Sequence, residues 1–245
     1  MTEWFTTFFD ELANDFWEAA MPPHLTEEEV AYLVRTLQLT DGSTVLDVPC
    51  NRGRHALALA RRGIRVVGVD LSTQALSGLE QRAAEEGLPI TTVLADMRSF
   101  EVGPVDAAYT LGNSLGYFDV GGISQFFQCV ARAVVPGGRY VVDSSMVAEC
   151  VLTQFEPESS YSAAGITMSD RHRYDARQSR LDTTVTFSKD GVADAREMSH
   201  WVLTSREVVD LVEGAGFAVE ALYGDIDEVP FDIGAPRLLV VARRR

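Results

Sequence analysis

Apolar positions along the chain fall into two rhythms. Trp4, Phe5, Phe8, Phe9, Leu12, Phe16 and Trp17 recur at three- and four-residue steps, the stripe of an amphipathic helix, which Pro22-Pro23 ends. Thr26-Glu27-Glu28-Glu29 reads as a capping box opening a second helix, with Val30, Leu33, Val34 and Leu37 on its apolar face. Short β-type runs then alternate with helical ones. Strands are predicted at 44–48, 65–69, 90–94, 105–111 and 139–143. Helices are predicted at 54–62, at 72–86 behind an Ser72 N-cap, and at 121–134, with Pro136-Gly137-Gly138 as a turn before the fifth strand. Such alternation builds a parallel sheet with helices on both faces.

After residue 165 the rhythm changes. Residues 166–175, 181–188 and 195–203 alternate with period two, and Asp190-Gly191 lies between the last two as a hairpin connection. A helix at 205–214 and strands at 217–223 and 237–242 close the chain. The predicted fold is α/β: a doubly wound, mostly parallel seven-stranded sheet carrying a small antiparallel β insertion. Its expected organisation is a helical cap over 1–40, a core of 41–145 and 204–245, and an insertion over 146–203. The insertion would stand over the carboxyl edge of the sheet, where ligands of such sheets bind.

Composition narrows the partners. A chain of 245 residues with 46% hydrophobic positions supports one large α/β domain with an elaboration. A net charge of −15 argues against a nucleic-acid groove, which needs a basic footprint. No run approaches the roughly 18 apolar residues of a membrane span, and no signal peptide is evident. Cys50, Cys129 and Cys150 have neither metal nor disulfide spacing, so the expected location is the cytoplasm. No metal is expected, because no carboxylate/His set stands at ligand spacing.

The chemistry concentrates at Asp47-Val-Pro-Cys-Asn-Arg-Gly-Arg-His55, between a strand and a helix. A tight turn there presents backbone N–H groups to a small ligand. Asp47 would repel a dinucleotide's pyrophosphate, and G-x-G-x-x-G is absent. An ammonium suits that acid, which favours S-adenosylmethionine over NAD. One βα unit later Asp70 ends the second strand, where an acid accepts two ribose hydroxyls. Asp96-Met97 follows the third strand, placed to take the adenine amino group and pack on its ring.

Together with Asp106-Ala107-Ala108-Tyr109, Gly112-Asn113-Ser114-Leu115-Gly116-Tyr117-Phe118 and Pro136-Gly137-Gly138, these segments resemble class I S-adenosylmethionine-dependent methyltransferases over about residues 40–145. The tail resembles their small-molecule branch with an antiparallel insertion. The resemblance implies a Rossmann-like sheet, S-adenosylmethionine as cofactor and S-adenosylhomocysteine as product. It places Asp47, Pro49, Cys50, Asn51, Gly53, Arg54, His55, Asp70, Leu71, Asp96, Met97, Leu111, Gly112 and Asn113 around the cofactor, with Phe9 and Trp17 from the cap. Arg54 would pair with the cofactor carboxylate. Two of the family's three turn glycines are replaced by Pro49 and Asn51; asparagine tolerates positive φ and stands in for glycine.

For the acceptor, His200 and His172 are the candidate bases, and Tyr117, Phe118, Arg171, Arg173, Tyr174, Trp201 and Arg237 the candidate binding residues. Strand alternation puts Arg171 and Arg173 on one face, His172 and Tyr174 on the other, and only one pair can face a pocket. The expected activity is methyl transfer to the O, N or C atom of a small molecule, in secondary metabolism, by a monomer or homodimer. The competing expectation is a methyltransferase fold that binds the cofactor yet catalyses a non-methylating reaction such as a cyclisation.

Overall fold

The computed structural model describes residues 3–245. Three helices come first: α1 (Phe5–Phe8), α2 (Glu11–Ala20) and α3 (Pro23–Leu37). The aromatic stripe is therefore not one helix. Asp10 caps α2 by accepting from the Ala13 N–H, which turns the chain between Phe9 and Glu11. Nor does Thr26 open the next helix. Pro23 does, because its fixed φ suits the first helical position, leaving Thr26 and Glu29 inside the helix and free to bond elsewhere.

The core alternates β1 (Thr44–Asp47), α4 (Arg54–Ala60), β2 (Arg65–Asp70), α5 (Thr73–Glu86), β3 (Ile90–Leu94), β4 (Val105–Thr110), α6 (Val120–Ala133) and β5 (Val134–Ser144). Ser72 caps α5 as its sequence predicts. Pro136-Gly137-Gly138 falls inside β5, where the pairing with β4 shifts register instead of turning the chain. After a short helix, α7 (Ala148–Val151), come β6 (Glu158–Ala163), β7 (Ile166–Asp175), β8 (Arg180–Lys189) and β9 (Val192–Trp201). The chain ends with α8 (Ser205–Gly214), β10 (Phe217–Tyr223) and β11 (Leu238–Arg244).

Seven strands form one sheet in the order β10-β11-β5-β4-β1-β2-β3, and the four strands β6-β7-β8-β9 form a separate antiparallel meander. Strand β6 is one more than the sequence predicts, since Glu-Ser-Ser-Tyr-Ser-Ala shows little apolar alternation. Among β1 to β5 every pair is parallel, whereas β11 runs antiparallel to β5 and β10. Because β1 lies between β2 and β4, the chain winds outward from it in both directions. A crevice opens at such a switch point. Asp47 stands at that point, level with Gly68 on β2 and Tyr109 on β4.

Two apolar cores cover the sheet faces, one built on α6 and α8 and the other on α3, α4 and α5. A third joins α1 and α2 to the meander through Phe8, Phe16, Ile166, Met168, Val185 and Phe187. Among the described residues no helix is long and apolar enough to cross a membrane.

Glu29 ties the second face together. Its carboxylate accepts from Arg54 at 2.8 Å, from His55 Nε2 at 2.9 Å and from Arg237 at 2.9 Å. Burial alone would raise its pKa, but the His55 hydrogen bond and the Arg54 and Arg237 charges hold it well below the ordinary value. The stability it contributes is present above the unfolded carboxyl's pKa and is lost as pH falls below it. Glu29→Gln is expected to cost about 2–3 kcal/mol at pH 7, read from the urea midpoint, and to flatten the acid side of the stability profile.

Candidate active site

The turn after β1 is held in an unusual shape by short contacts. The Val48–Pro49 peptide is cis, and Asn51 takes a left-handed φ of +46°, the conformation expected of it as a glycine substitute. Gly53 then caps α4 at φ +74°, and a Cβ there would run into the buried Leu79 side chain. Only glycine fits.

Three acids stand at three strand tips. Asp47 is 3% exposed, and burial, aided by the Asp70 charge against the Tyr109 hydroxyl and Arg54, drives its pKa up to about 8. The buried Tyr109 hydroxyl beside it has no hydrogen-bond partner. Asp70 accepts from the Asn51 N–H at 2.7 Å and the Ser72 N–H at 2.9 Å, one to each oxygen, which leaves lone pairs on both. Asp143, at the end of β5, accepts from the Gly112 N–H at 3.2 Å through one oxygen, while the other is buried and unpartnered. Burial pushes Asp143 up to about 6, against the pull of Arg237 at 3.8 Å. The sequence reading passed over Asp143, although an apolar strand ending in an acid is the same signal that marked Asp47 and Asp70.

The cap closes on this edge through polar contacts. Asn51 Nδ2 donates to Asn14 at 2.8 Å, and Arg52 pairs with Asp15 at 2.8 Å and Glu18 at 3.0 Å. Arg98 bridges Asp96 to Glu3. Arg196 of the meander pairs with Asp10 at 2.7 Å. Inside, Tyr117 lies 4.8 Å from Trp4 and 5.4 Å from His200, centroid to centroid, and 6.3 Å from Phe9. Burial pulls His200 down to about 4, so its imidazole is neutral, and Nδ1 has no partner. Trp201 N–H donates to the Gly116 carbonyl at 2.7 Å, which seats β9 on the loop after β4.

Comparison with known proteins matches residues 45–138 to a methyltransferase domain. A putative methyltransferase YqeM of Bacillus subtilis is 31% identical over 108 residues, which cover 43% of each chain. The CcbJ methyltransferase of Streptomyces caelestis superposes with a TM-score of 0.84 at 18% identity, over 97% of this chain and 98% of that one. CalS10, an amino pentose methyltransferase from Micromonospora echinaspora solved with S-adenosylmethionine bound, gives 0.71 at 19% identity, over 94% and 96%. The chain thus matches a methyltransferase domain over residues 45–138 and shares the fold of solved S-adenosylmethionine-dependent methyltransferases. It spans less than half the length of the curated relatives it matches.

The site at the β1 tip fits S-adenosylmethionine on its own geometry. A buried acid, an unpartnered tyrosine hydroxyl and the unpartnered Asn51 Oδ1 gather at the β1 tip, where an ammonium and a carboxylate would satisfy them. Trp4 and Trp17 also bury indole N–H groups without partners.

Several expected roles are redirected by local partners. Arg54 is held by Thr26 and Glu29 rather than left for a carboxylate, since Pro23 starts α3 early enough to bring both within reach. Asp96 receives the Arg98 backbone and guanidinium, and Met97 is buried in the core. Phe118 is core too, packed on Phe5 and under the Arg98 guanidinium at 4.2 Å. Arg171 and Arg173 point outward and pair with Glu158 and Asp182 in solvent, so His172 and Tyr174 occupy the inner face. Arg237 is consumed by Glu29 and Asp225, which removes it as a free cation for an anionic acceptor. Cys50 is buried against Gly68, Leu71 is exposed, and Leu111 packs on the α3–α5 core.

Asp47 sets a trade between stability and binding. Its raised pKa means the stability it allows is fully present below the unfolded value and is lost as pH rises toward 8. Asp47→Asn is expected to raise the melting temperature of the cofactor-free protein by a few degrees at pH 8 and to abolish the further rise on adding S-adenosylmethionine. Differential scanning calorimetry reads both.

Proposed function

We propose that the chain transfers a methyl group from S-adenosylmethionine to a small-molecule acceptor held between the sheet edge and the meander. The observation that carries this reading is Asp47, buried at the switch point beside an unpartnered hydroxyl, with Asp70 one strand away keeping lone pairs free. In this reading Asp47 holds the ammonium and Asp70 the ribose hydroxyls. When bound, the cofactor supplies a methyl group already activated on a sulfonium.

The rest falls to this chain's own side chains. Trp4, Phe9, Tyr117 and His200 exclude water from the transfer line and present aromatic faces to a cation. Alignment of nucleophile and methyl in such a closed space supplies much of the acceleration. His200, kept neutral by burial, orients an acceptor hydrogen through Nδ1. The organisation follows: 1–40 as cap, 41–145 with 204–245 as cofactor core, 146–203 as acceptor wall. A small acceptor is supported by the SAM-bound neighbour that acts on an amino pentose. The net charge of −15 speaks against nucleic acid. We read the enzyme as cytoplasmic, a monomer or homodimer.

Calorimetric titration with S-adenosylmethionine and S-adenosylhomocysteine tests the cofactor half. Micromolar binding is expected, and Asp70→Ala should weaken it by about tenfold or more, which is about 1.4 kcal/mol. Methyl-labelled cofactor then tests the transfer, since label must appear in the acceptor product; turnover of an acceptor without label sinks the reading.

A further inference from the structure

The inner face of the meander carries a polar cluster that methyl transfer itself does not use. Ser159 stands opposite Asp170 across β6 and β7, and His172 stands opposite Thr183 across β7 and β8. Ser159 Oγ donates to Asp170 Oδ2 at 3.3 Å and lies 3.5 Å from His172 Nε2. His172 Nδ1 is 2.9 Å from Thr183 Oγ1. Asp170 is 8% exposed and Thr183 1% exposed.

The cluster is one donor short. Asp170 Oδ1 is buried without any hydrogen-bond partner, and burial raises the pKa of the acid against the opposing pull of His172 and Ser159. The flanking Arg171 and Arg173 point to the opposite face. Arg196, which shares the inner face, is bound to Asp10 and Asp194. A buried acceptor of this kind is satisfied by an incoming N–H or O–H and repelled by an incoming anion. The same face continues to His200, whose Nδ1 is also buried and unpartnered and whose ring meets Tyr117 after β4. The cluster therefore shares one face of the meander with His200, the residue through which that face meets the loop after β4.

We propose that Ser159, Asp170, His172 and Thr183 form an acceptor-recognition subsite for a hydrogen-bond-donating group, an amine or a hydroxyl, remote from the atom methylated. Acceptors are then amino or hydroxy compounds rather than carboxylates or phosphate esters. This rests on the methyl-transfer reading and adds the acceptor class to it. Asp170 Oδ1 takes the donor, Ser159 holds the carboxylate in place, His172 braces the Ser159 hydroxyl, and Thr183 fixes the imidazole tautomer.

The test uses the intact chain saturated with S-adenosylhomocysteine. Three probes with one ring and different heads are titrated: cyclohexylamine, cyclohexanol and cyclohexanecarboxylate. The His172 ring resonances, assigned with His172→Gln, report binding by NMR. The amine, the alcohol or both should shift them at millimolar concentration, while the carboxylate should not. A response to the amine alone identifies an ammonium site; a response to the alcohol as well identifies a hydroxyl site. Asp170→Asn should weaken the response at least tenfold, and Ser159→Ala severalfold, with S-adenosylhomocysteine affinity unchanged in both. Carboxylate binding equal to the others, no response to any probe, or an unaltered response in Asp170→Asn overturns the subsite. Loss of the methyl-transfer reading shows separately, as failure of the unsubstituted chain to bind S-adenosylhomocysteine at the outset.

Discussion

The carboxylate of Glu29 receives donors from two other parts of the fold, α4 and the segment entering β11. Arg54 and His55 open the helix that follows the cofactor turn, and Arg237 immediately precedes the last strand. One largely buried anion thus sets the spacing between α3, the turn and the far edge of the sheet. A carboxylate with three donors is well compensated for its lost hydration, which is why it stays ionised inside the protein. Arg237 carries the same arrangement onward to Asp225 and toward Asp143. The β4 tip is then held from the β5 side, where Asp143 takes the Gly112 N–H and Asn113 accepts from Ser145.

Around that well-satisfied frame the site itself is left unsatisfied. Tyr109, Asn51, Trp4, Trp17, Asp143 and His200 each bury a polar atom without a partner. Most buried polar groups in proteins are paired, so a concentration of exceptions along one sheet edge is stability held in reserve for a ligand. Asp47 shows the same economy in charge. Burial disfavours its ionised form until a cation arrives, and binding and ionisation then favour each other.

The cap and the meander meet over this edge as a single cover. Phe8 and Phe16 pack on Val185 and Phe187, so the aromatic stripe is mostly spent on holding α1 and α2 to the meander. Its remaining faces, on Trp4 and Phe9, reach Tyr117. Arg52, Arg98 and Arg196, each with its side chain largely buried, clamp the cap at its ends with ion pairs.

Periodicity and turn chemistry alone determined the parallel core of this protein, its order of strands and helices, and the strand-tip acids Asp47 and Asp70. Those signals are local: a two- or 3.6-residue repeat, an N-cap such as Ser72, a positive-φ asparagine at 51. Local signals also misled where two of them competed. The Thr26–Glu29 capping pattern lost to Pro23, and Pro136-Gly137-Gly138 became an irregular stretch within β5 because its flanks pair with β4. Which face of β7 turns inward, and which cations are already taken, only the tertiary structure decided. Arg54 and Arg237 read as available charges along the chain, yet their shared partner Glu29 lies 25 and 208 residues away. A charge's availability depends on what folds against it, and no repeat in the sequence records that.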